Sequence, residues 1–571
     1  MRESLQVSGW DAKPHIWFYH TQASNSGRNS QGSRAHLRPS DILKPMRQSL
    51  SACALLACLA AAASAQGAPQ SGPDARSVFN VLDYGAKRDG SSSSTAAFRA
   101  AIQACAKAGG GTVFVPAGHY VSGAIELVSN LTFYVDSGAV IRFAANREEY
   151  PMVQGRFEGT EMRTPAAMIG GHNLENVAIT GRGTLVADNS EWRQLMMGQP
   201  AYRTALNEVL ALIERKLPVP EDKRQASEMA LRPDFIRPVE SKNVLIEGIH
   251  ILSSPMWVLH ILYCENVVIH NVIVESFPGA NTDGVDIDSS RHVRISDSYF
   301  DTGDDAICIK SGKDADGLRV NRVTEDVAIT NCTIHRGHGA VVLGSETSGG
   351  IRNVVASNIV AQGTDRGIRI KSTRGRGGLL ENIRFDNWVI EDTPDPAIEV
   401  TNYYTRAPAE PVSARTPVFR NIAISHVTIN RCKTAVSIEG LPEMPVEGLR
   451  LTDIVANAKE GLRAFNTNGL ELHNVRINAE SGPAFLIRDA ANLDMDGVQT
   501  RAPKADSPVV RLDRVKAASL RNSIAWPGTA VFLSLAPEAK VTSIGNDLSG
   551  AATPSKTEDS DYWKSIKTPD K

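Results

Sequence analysis

Asn243-Val244-Leu245-Ile246 and, a little further on, Asn266-Val267-Val268-Ile269 decide how this chain folds. The same phrase, an Asn or Asp followed by alternating apolar residues, recurs as Asn130-Leu131-Thr132-Phe133, Asn176-Val177-Ala178-Ile179, Asp326-Val327-Ala328-Ile329, Asn382-Ile383-Arg384-Phe385 and Asn421-Ile422-Ala423-Ile424. Such short alternation describes half-buried strands. The phrases step by 266 − 243 = 23, 353 − 326 = 27 and 382 − 353 = 29 residues. Periods in the twenties, with short strands and no helices between them, predict an all-β solenoid. The expected fold is a single-stranded right-handed parallel β-helix over residues 78–546, each coil stacked about 4.8 Å from the next. Asparagine suits the head of each phrase because it tolerates left-handed backbone and bonds locally. A leucine-rich repeat needs its own Leu/Asn spacing, and a β-sandwich has no steady rung period.

Working outward, a solenoid must cap its open ends. Residues 95–108, followed by three glycines, predict a capping helix with Thr95 at its N-cap. Phe98, Ile102 and Cys105 share the face that would cover the first coil. A second helical stretch, residues 202–216, reads as a surface insertion, and residues 547–571 as a loose C-terminal tail. Residues 1–45 hold a Ser-, Asn-, Gly- and Arg-rich run and read as an upstream extension. Residues 46–65 pair a basic start with a short apolar run and an Ala-Ser-Ala end, the pattern of a secretory leader cleaved at Ala65–Gln66. Residues 66–77 are then a linker, and the protein is expected outside the cytoplasm. That apolar run is too short to span a bilayer.

The 571 residues are 42% hydrophobic and 22% charged, with a formal net charge of −2. Nothing global favours nucleic acid, and no membrane insertion is expected. Beyond the leader, five cysteines remain: Cys105, Cys264, Cys308, Cys332 and Cys432. Their wide spacing describes no disulfide framework and no Cys-x-x-Cys metal pair, so at most a bridge or two is expected and no metal or cofactor.

The densest acidic cluster is Asn281-Thr282-Asp283 followed by Gly303-Asp304-Asp305. Asp283 and Asp304 lie 304 − 283 = 21 residues apart, close to one coil, so three carboxylates crowd one surface. Like charges at that spacing cost folding energy, a strain tolerated mainly at functional sites. Further on come Gly337-His338-Gly339 and Arg369-Ile370-Lys371. Strand alternation sends Arg369 and Lys371 to one face, where two cations could bind a sugar carboxylate. Singly, each piece is ordinary: an Asp pair in a turn, a tight Gly-His-Gly bend, a solvated Arg-x-Lys strand.

In this order, the four pieces resemble the signature motifs of glycoside hydrolase family 28, the polygalacturonases. Residues 81–86, 109–118, 254–257, 344–346 and 375–378 also resemble family segments. The resemblance implies a pectin-lyase-like β-helix and inverting hydrolysis of the α-1,4 bonds of polygalacturonate or oligogalacturonides. It implies Asp304 as general acid, with Asp283 and Asp305 holding and activating water. His338 would tune Asp304 or bind substrate. Arg369 and Lys371 would grip galacturonate carboxylates, and Asn281 would position the acid cluster. The family's active-site tyrosine falls on Tyr403 or Tyr404, and no motif decides between them. Asp304 and His338 lie 338 − 304 = 34 residues apart, longer than one coil, with the excess in a Gly/Asp/Lys-rich loop at 311–321. Together with the insertion at 191–238 it would close one end of the cleft, which in this family goes with exo-action. A calcium-dependent pectate lyase and a non-catalytic β-helical polysaccharide-binding protein are the alternatives. The paired aspartates and the Gly-His-Gly count against the lyase.

Overall fold

The computed structural model describes residues 77–197 and 200–558. The leader, its cleavage point and the upstream extension lie outside them. Strands pair in parallel with strands one coil away. On one face, Leu259–Leu262 pairs with Val285–Asp288, and this with Ile307–Lys310, Val341–Leu343, Ile368–Lys371 and Pro396–Thr401 in turn. Other ladders, such as Arg291–Ser296 on Thr324–Thr330, complete each coil. The fold is the expected right-handed parallel β-helix. Its core is filled by files of like side chains: Ile261, Ile287, Ile309, Leu343 and Ile370 stack in register and are fully buried. Each such burial contributes about 1.5–3 kcal/mol.

The asparagines do more than turn the chain. Asn176, Asn243 and Asn266 have φ near 57°. Each donates its side-chain amide to the previous rung's side-chain oxygen, at 3.0, 2.9 and 2.7 Å. A second ladder runs from Asp326 through Asn353 and Asn382 to Asn421.

The capping helix, α1, is Thr95–Lys107. Ser94, not Thr95, holds its N-cap position; the Thr95 hydroxyl accepts from the Gly123 amide at 2.8 Å and donates to Glu149 at 3.0 Å. Phe98, Ile102 and Cys105 are buried as expected. The tail is corrected too: Ala551–Thr557 is a strand in register with Thr529–Leu535, so the ladder continues past residue 546. All five cysteines are buried and unbridged, so the possible bridges do not form.

The insertion holds three helices where the sequence showed one: α2 (Asn189–Met197), α3 (Pro200–Glu214) and α4 (Glu221–Glu228). The 311–321 loop carries α5 (Asp314–Val320). Before them comes an antiparallel hairpin, Met152–Phe157 with Thr160–Pro165. Its two-residue turn, Glu158-Gly159, has φ of 43° and 81°. Positive φ at both positions is the type I′ geometry that matches strand twist. Phe157, Met162, Leu206, Val209, Leu231, Met256 and Trp257 form a separate apolar core under hairpin and insertion.

Hairpin and insertion both leave the chain where the site-bearing strands begin, yet both reach groups beyond the ends of those strands. The Gly159 carbonyl accepts from the Lys313 amide at 3.0 Å. Glu214 of α3 accepts from the Ala315 amide at 2.8 Å and pairs with Arg415 at 3.3 Å. They therefore form a wall beside those strands, tied to the 311–321 loop and to Arg415. A separate pocket of about 360 Å³ is lined by Phe98, Ile125, Ala167, His172 and Arg237.

Candidate active site

Register sets the geometry. Val285 pairs with Ile307, a step of 22 residues, and Ile307 with Val341. Two residues earlier, Asp283 therefore stacks on Asp305, and Asp305 on Gly339, while Asp304 stands level with His338. The step of 21 residues in the sequence had paired Asp283 with the other aspartate. Gly339 is required here, since a Cβ would meet the buried Val342 Cγ2 at 2.4 Å. Gly337, with φ 128°, is required as well: a Cβ would meet the Asp304 carbonyl at 2.7 Å. Thr282 ties the two acidic turns together, accepting from the Gly303 amide at 3.2 Å and donating to the Gly279 carbonyl at 2.9 Å.

Asp304 is the accessible carboxyl, its side chain 20% exposed against 4% for Asp283 and 2% for Asp305. Its Oδ1 contacts His338 Nδ1 at 3.0 Å and accepts from the Asp305 amide at 2.9 Å. Lys371 Nζ donates to Asp305 Oδ2 at 2.7 Å. Arg369 turns its Nε to Glu399 at 2.8 Å and keeps Nη1 4.0 Å from Asp305. Ile368 and Ile370 point into the core, as strand alternation requires. The two tyrosines separate: Tyr404 lies over Lys371 (4.9 Å) and Arg369 (5.6 Å) and is 43% exposed, whereas Tyr403 lies over Arg374. Tyr404 is thus the tyrosine that packs on the Arg369–Lys371 strand. Asn281 Oδ1 accepts from Arg232 at 2.9 Å, which fixes the loop leading to Asp283.

Electrostatics divides the carboxyls. Burial, then the like charge of Asp304, pushes Asp283 well above the usual carboxylate range. Burial and Asp283 do the same to Asp286. Against its burial, the hydrogen bond and charge of His338 hold Asp304 down at about 2. Asp304 in turn raises His338 above its ordinary value. Burial and like charge thus favour the protonated form of Asp283, whereas the imidazole favours the carboxylate form of Asp304. Asp283, Asp305 and Cys308 bring potential ligand atoms within 4.8 Å of one another. Lys310 and Lys371 already face those two carboxyls, so a chelated cation would have to displace a buried ammonium.

Sequence reasoning passed over Lys310, Asp286, Asp288, Arg156, His260 and Glu399. Arg156 crosses from the hairpin to Asp288 at 2.7 Å, both side chains fully buried. His260 contacts Asp234 at 2.9 Å, and Asp234 holds Arg237 at 2.8 Å. The signal was present in Val285-Asp286-Ile287-Asp288 and Ile307-Cys308-Ile309-Lys310, where charges alternate with core residues on the site face.

Residues 221–464 match the profile of Glycosyl hydrolases family 28, and residues 78–192 that of Rhamnogalacturonase A/epimerase, pectate lyase-like. A solved structure titled as a hyperthermoactive exopolygalacturonase from Thermotoga maritima is 35% identical, with a TM-score of 0.67 over 72% of this chain and 93% of that one. A probable polygalacturonase of Vitis vinifera is 28% identical over 66% of this chain and 73% of its own length. An exo-poly-alpha-D-galacturonosidase of Dickeya chrysanthemi is 29% identical over 62% of each. The chain thus spans less than two thirds of the Dickeya relative. With the four motifs stacked on one face of this β-helix, and a relative this similar over nearly its whole length, the chain belongs to glycosyl hydrolase family 28.

Proposed function

We propose that this glycoside hydrolase cleaves the α-1,4-galacturonosidic bonds of polygalacturonate by an inverting mechanism, and that it attacks chain ends. The observation that carries the reading is the pairing of one accessible carboxyl, Asp304 on His338, with two buried ones beside it under Lys371 and Tyr404. A glycosidase of this kind needs an acid that reaches the glycosidic oxygen and a base that activates water on the opposite face of the sugar. Asp304, the exposed member, is the acid. Substrate carboxylates bring further negative charge and displace the water around Asp304, and both changes favour its protonated form. A proton shared between Asp283 and Asp304 then moves to Asp304 and from it to the leaving oxygen. Water attacks the anomeric carbon from the other side, and Asp283 with Asp305 takes its proton. Arg369, Lys371 and the Tyr404 ring supply the cationic, aromatic wall for a galacturonate at the cleavage point.

The wall of hairpin and insertion supports exo-action, and the names of the Dickeya and Thermotoga relatives point the same way. The leader read at 46–65 supports action outside the cytoplasm; among the described residues no helix is long and apolar enough to cross a membrane. The test is product analysis on polygalacturonate with wild type and Asp304→Asn. Wild type should release saturated galacturonate products, and the variant, folded to the same melting temperature, should lose at least about a hundredfold in rate. Unsaturated products, or an Asp304→Asn variant at wild-type rate, would reject the reading.

A further inference from the structure

Lys310 has no part in the roles above, yet three carboxyls face it. Its Nζ lies 3.5 Å from Asp283 Oδ2, 3.3 Å from Asp286 Oδ1 and 3.4 Å from Glu346 Oε2. The ammonium rests 4.2 Å above the Trp257 ring, and the side chain is 6% exposed. Trp257 belongs to the apolar core under the wall, so the wall shuts Lys310 off from water.

One ammonium cannot neutralise three buried carboxylates, and an uncompensated buried charge is removed by protonation. Glu346 takes the first share of the Lys310 charge: Lys310 and then Arg376 hold it down at about 2 against its burial, with Lys313 and Lys371 helping. Both Asp286 oxygens lack a hydrogen-bond partner among the described residues. Asp283 is left between Lys310 on one side and Asp304 and Asp305 on the other. The remaining charged or titratable groups around it are Lys371, Cys308 and, through Asp304, His338.

We propose that Lys310 and Glu346 form a positioning pair that decides whether Asp283 stands as a carboxylate able to take a proton from water, Lys310 supplying the charge and Glu346 limiting it. The proposal rests on the glycosidase reading of the site. Neither residue need touch the sugar. If Asp283 were tuned only by its acidic neighbours, the strand position of Lys310 would need volume, not charge.

The pair gives opposite predictions for its two members. Lys310→Met keeps the stem against Trp257 but removes the charge. The acidic limb of the pH profile of kcat/KM should then move up by about one pH unit or more, the usual effect of a charge at this distance. Glu346→Gln keeps shape and frees Lys310 for Asp283, so the same limb should move down. KM should change little in either. Infrared difference titration of the protonated carboxyls, made without substrate on wild type and both variants, should show the same opposed shifts. Limbs and infrared titrations that stay in place, or move the same way in both variants, would overturn the proposal. Opposed infrared shifts in a wild-type protein that releases nothing from polygalacturonate would uphold the charge pair and sink the glycosidase reading instead. Should Lys310→Met fail to fold, the downward shift in Glu346→Gln decides alone.

Discussion

Arg369 and Lys371 stand two residues apart on one strand but are not equivalent. Lys371 is committed: its ammonium is buried against Asp305 at 2.7 Å. Arg369 gives Nε to Glu399 and leaves its other nitrogens toward the cleft, under Tyr404. A bidentate guanidinium suits a planar carboxylate, so Arg369 is the better reader of the substrate's charge. Arg369→Ala should therefore raise KM for de-esterified oligomers much more than for methyl-esterified ones. Lys371→Met should lower kcat on both alike, because it strips Asp305 of its counter-ion. Initial-rate kinetics on the paired substrates checks this, and equal KM losses in the two variants would contradict it. At this scale the sequence was readable where chemistry comes in short runs: Asn-Thr-Asp, Gly-Asp-Asp, Gly-His-Gly and Arg-Ile-Lys survive as local words. Lys310 and Asp286 left only an ambiguous signal. A charge alternating with isoleucines reads as a solvated strand face, and only Trp257 and the wall above turn that face into a buried one.

The hairpin Met152–Phe157 and Thr160–Pro165 shows the same limit one level up. Its alternation is that of any coil strand, and the only hint of reversal is Glu158-Gly159, weaker than the Asn-Gly that usually marks such turns. Gly159 is nonetheless required, since a Cβ would meet Lys313 at 2.8 Å and Glu346 at 2.7 Å. Fixing the hairpin is Arg156 on Asp288, a pair with no water access. Removing one member strands the other, at a cost of about 3–5 kcal/mol. Arg156→Leu should lose about that much stability by urea titration near neutrality, and Arg156→Met with Asp288→Leu should regain much of it. The pH dependence follows from Asp288. Against its burial, Arg156, then His260, depresses its folded-state pKa below the ordinary value. A depressed carboxylate stabilises the fold above the unfolded pKa, about 3.9, and that contribution fades as pH falls through the folded pKa. The gap between wild type and Arg156→Leu should therefore be full near neutrality and narrow below about pH 3.9. A gap independent of pH would show that Arg156 stabilises by packing alone.

At the scale of the whole molecule, the solenoid was plain in the sequence because each coil repeats the phrase that stacks it on the next. The wall was half plain: surplus length at 191–238 and 311–321 was countable, but the way hairpin, α3 and α5 meet depends on contacts between residues far apart in the chain. Glu214 and Arg415 are 415 − 214 = 201 residues apart. That bridge is what makes the wall a functional prediction. An open β-helix groove lets a polymer run through and be cut internally, whereas a groove blocked at one end admits only a chain end. One product size should then dominate from the first minutes, and viscosity of a polygalacturonate solution should fall slowly for each reducing end released. Replacing residues 190–230 by a short linker, with Phe157→Ser to spare the uncovered hairpin from aggregation, should steepen the viscosity drop per bond cut and broaden the products. Glu214→Ala with Arg415→Ala, which loosens the bridge but keeps the fold, should shift both readings the same way by less. The comparison uses chains matched for reducing ends released, so a slower variant is not mistaken for a more exo-acting one. A rapid viscosity collapse with mixed oligomers from the unaltered protein would mean that the wall does not close the groove in solution, and internal cutting would follow.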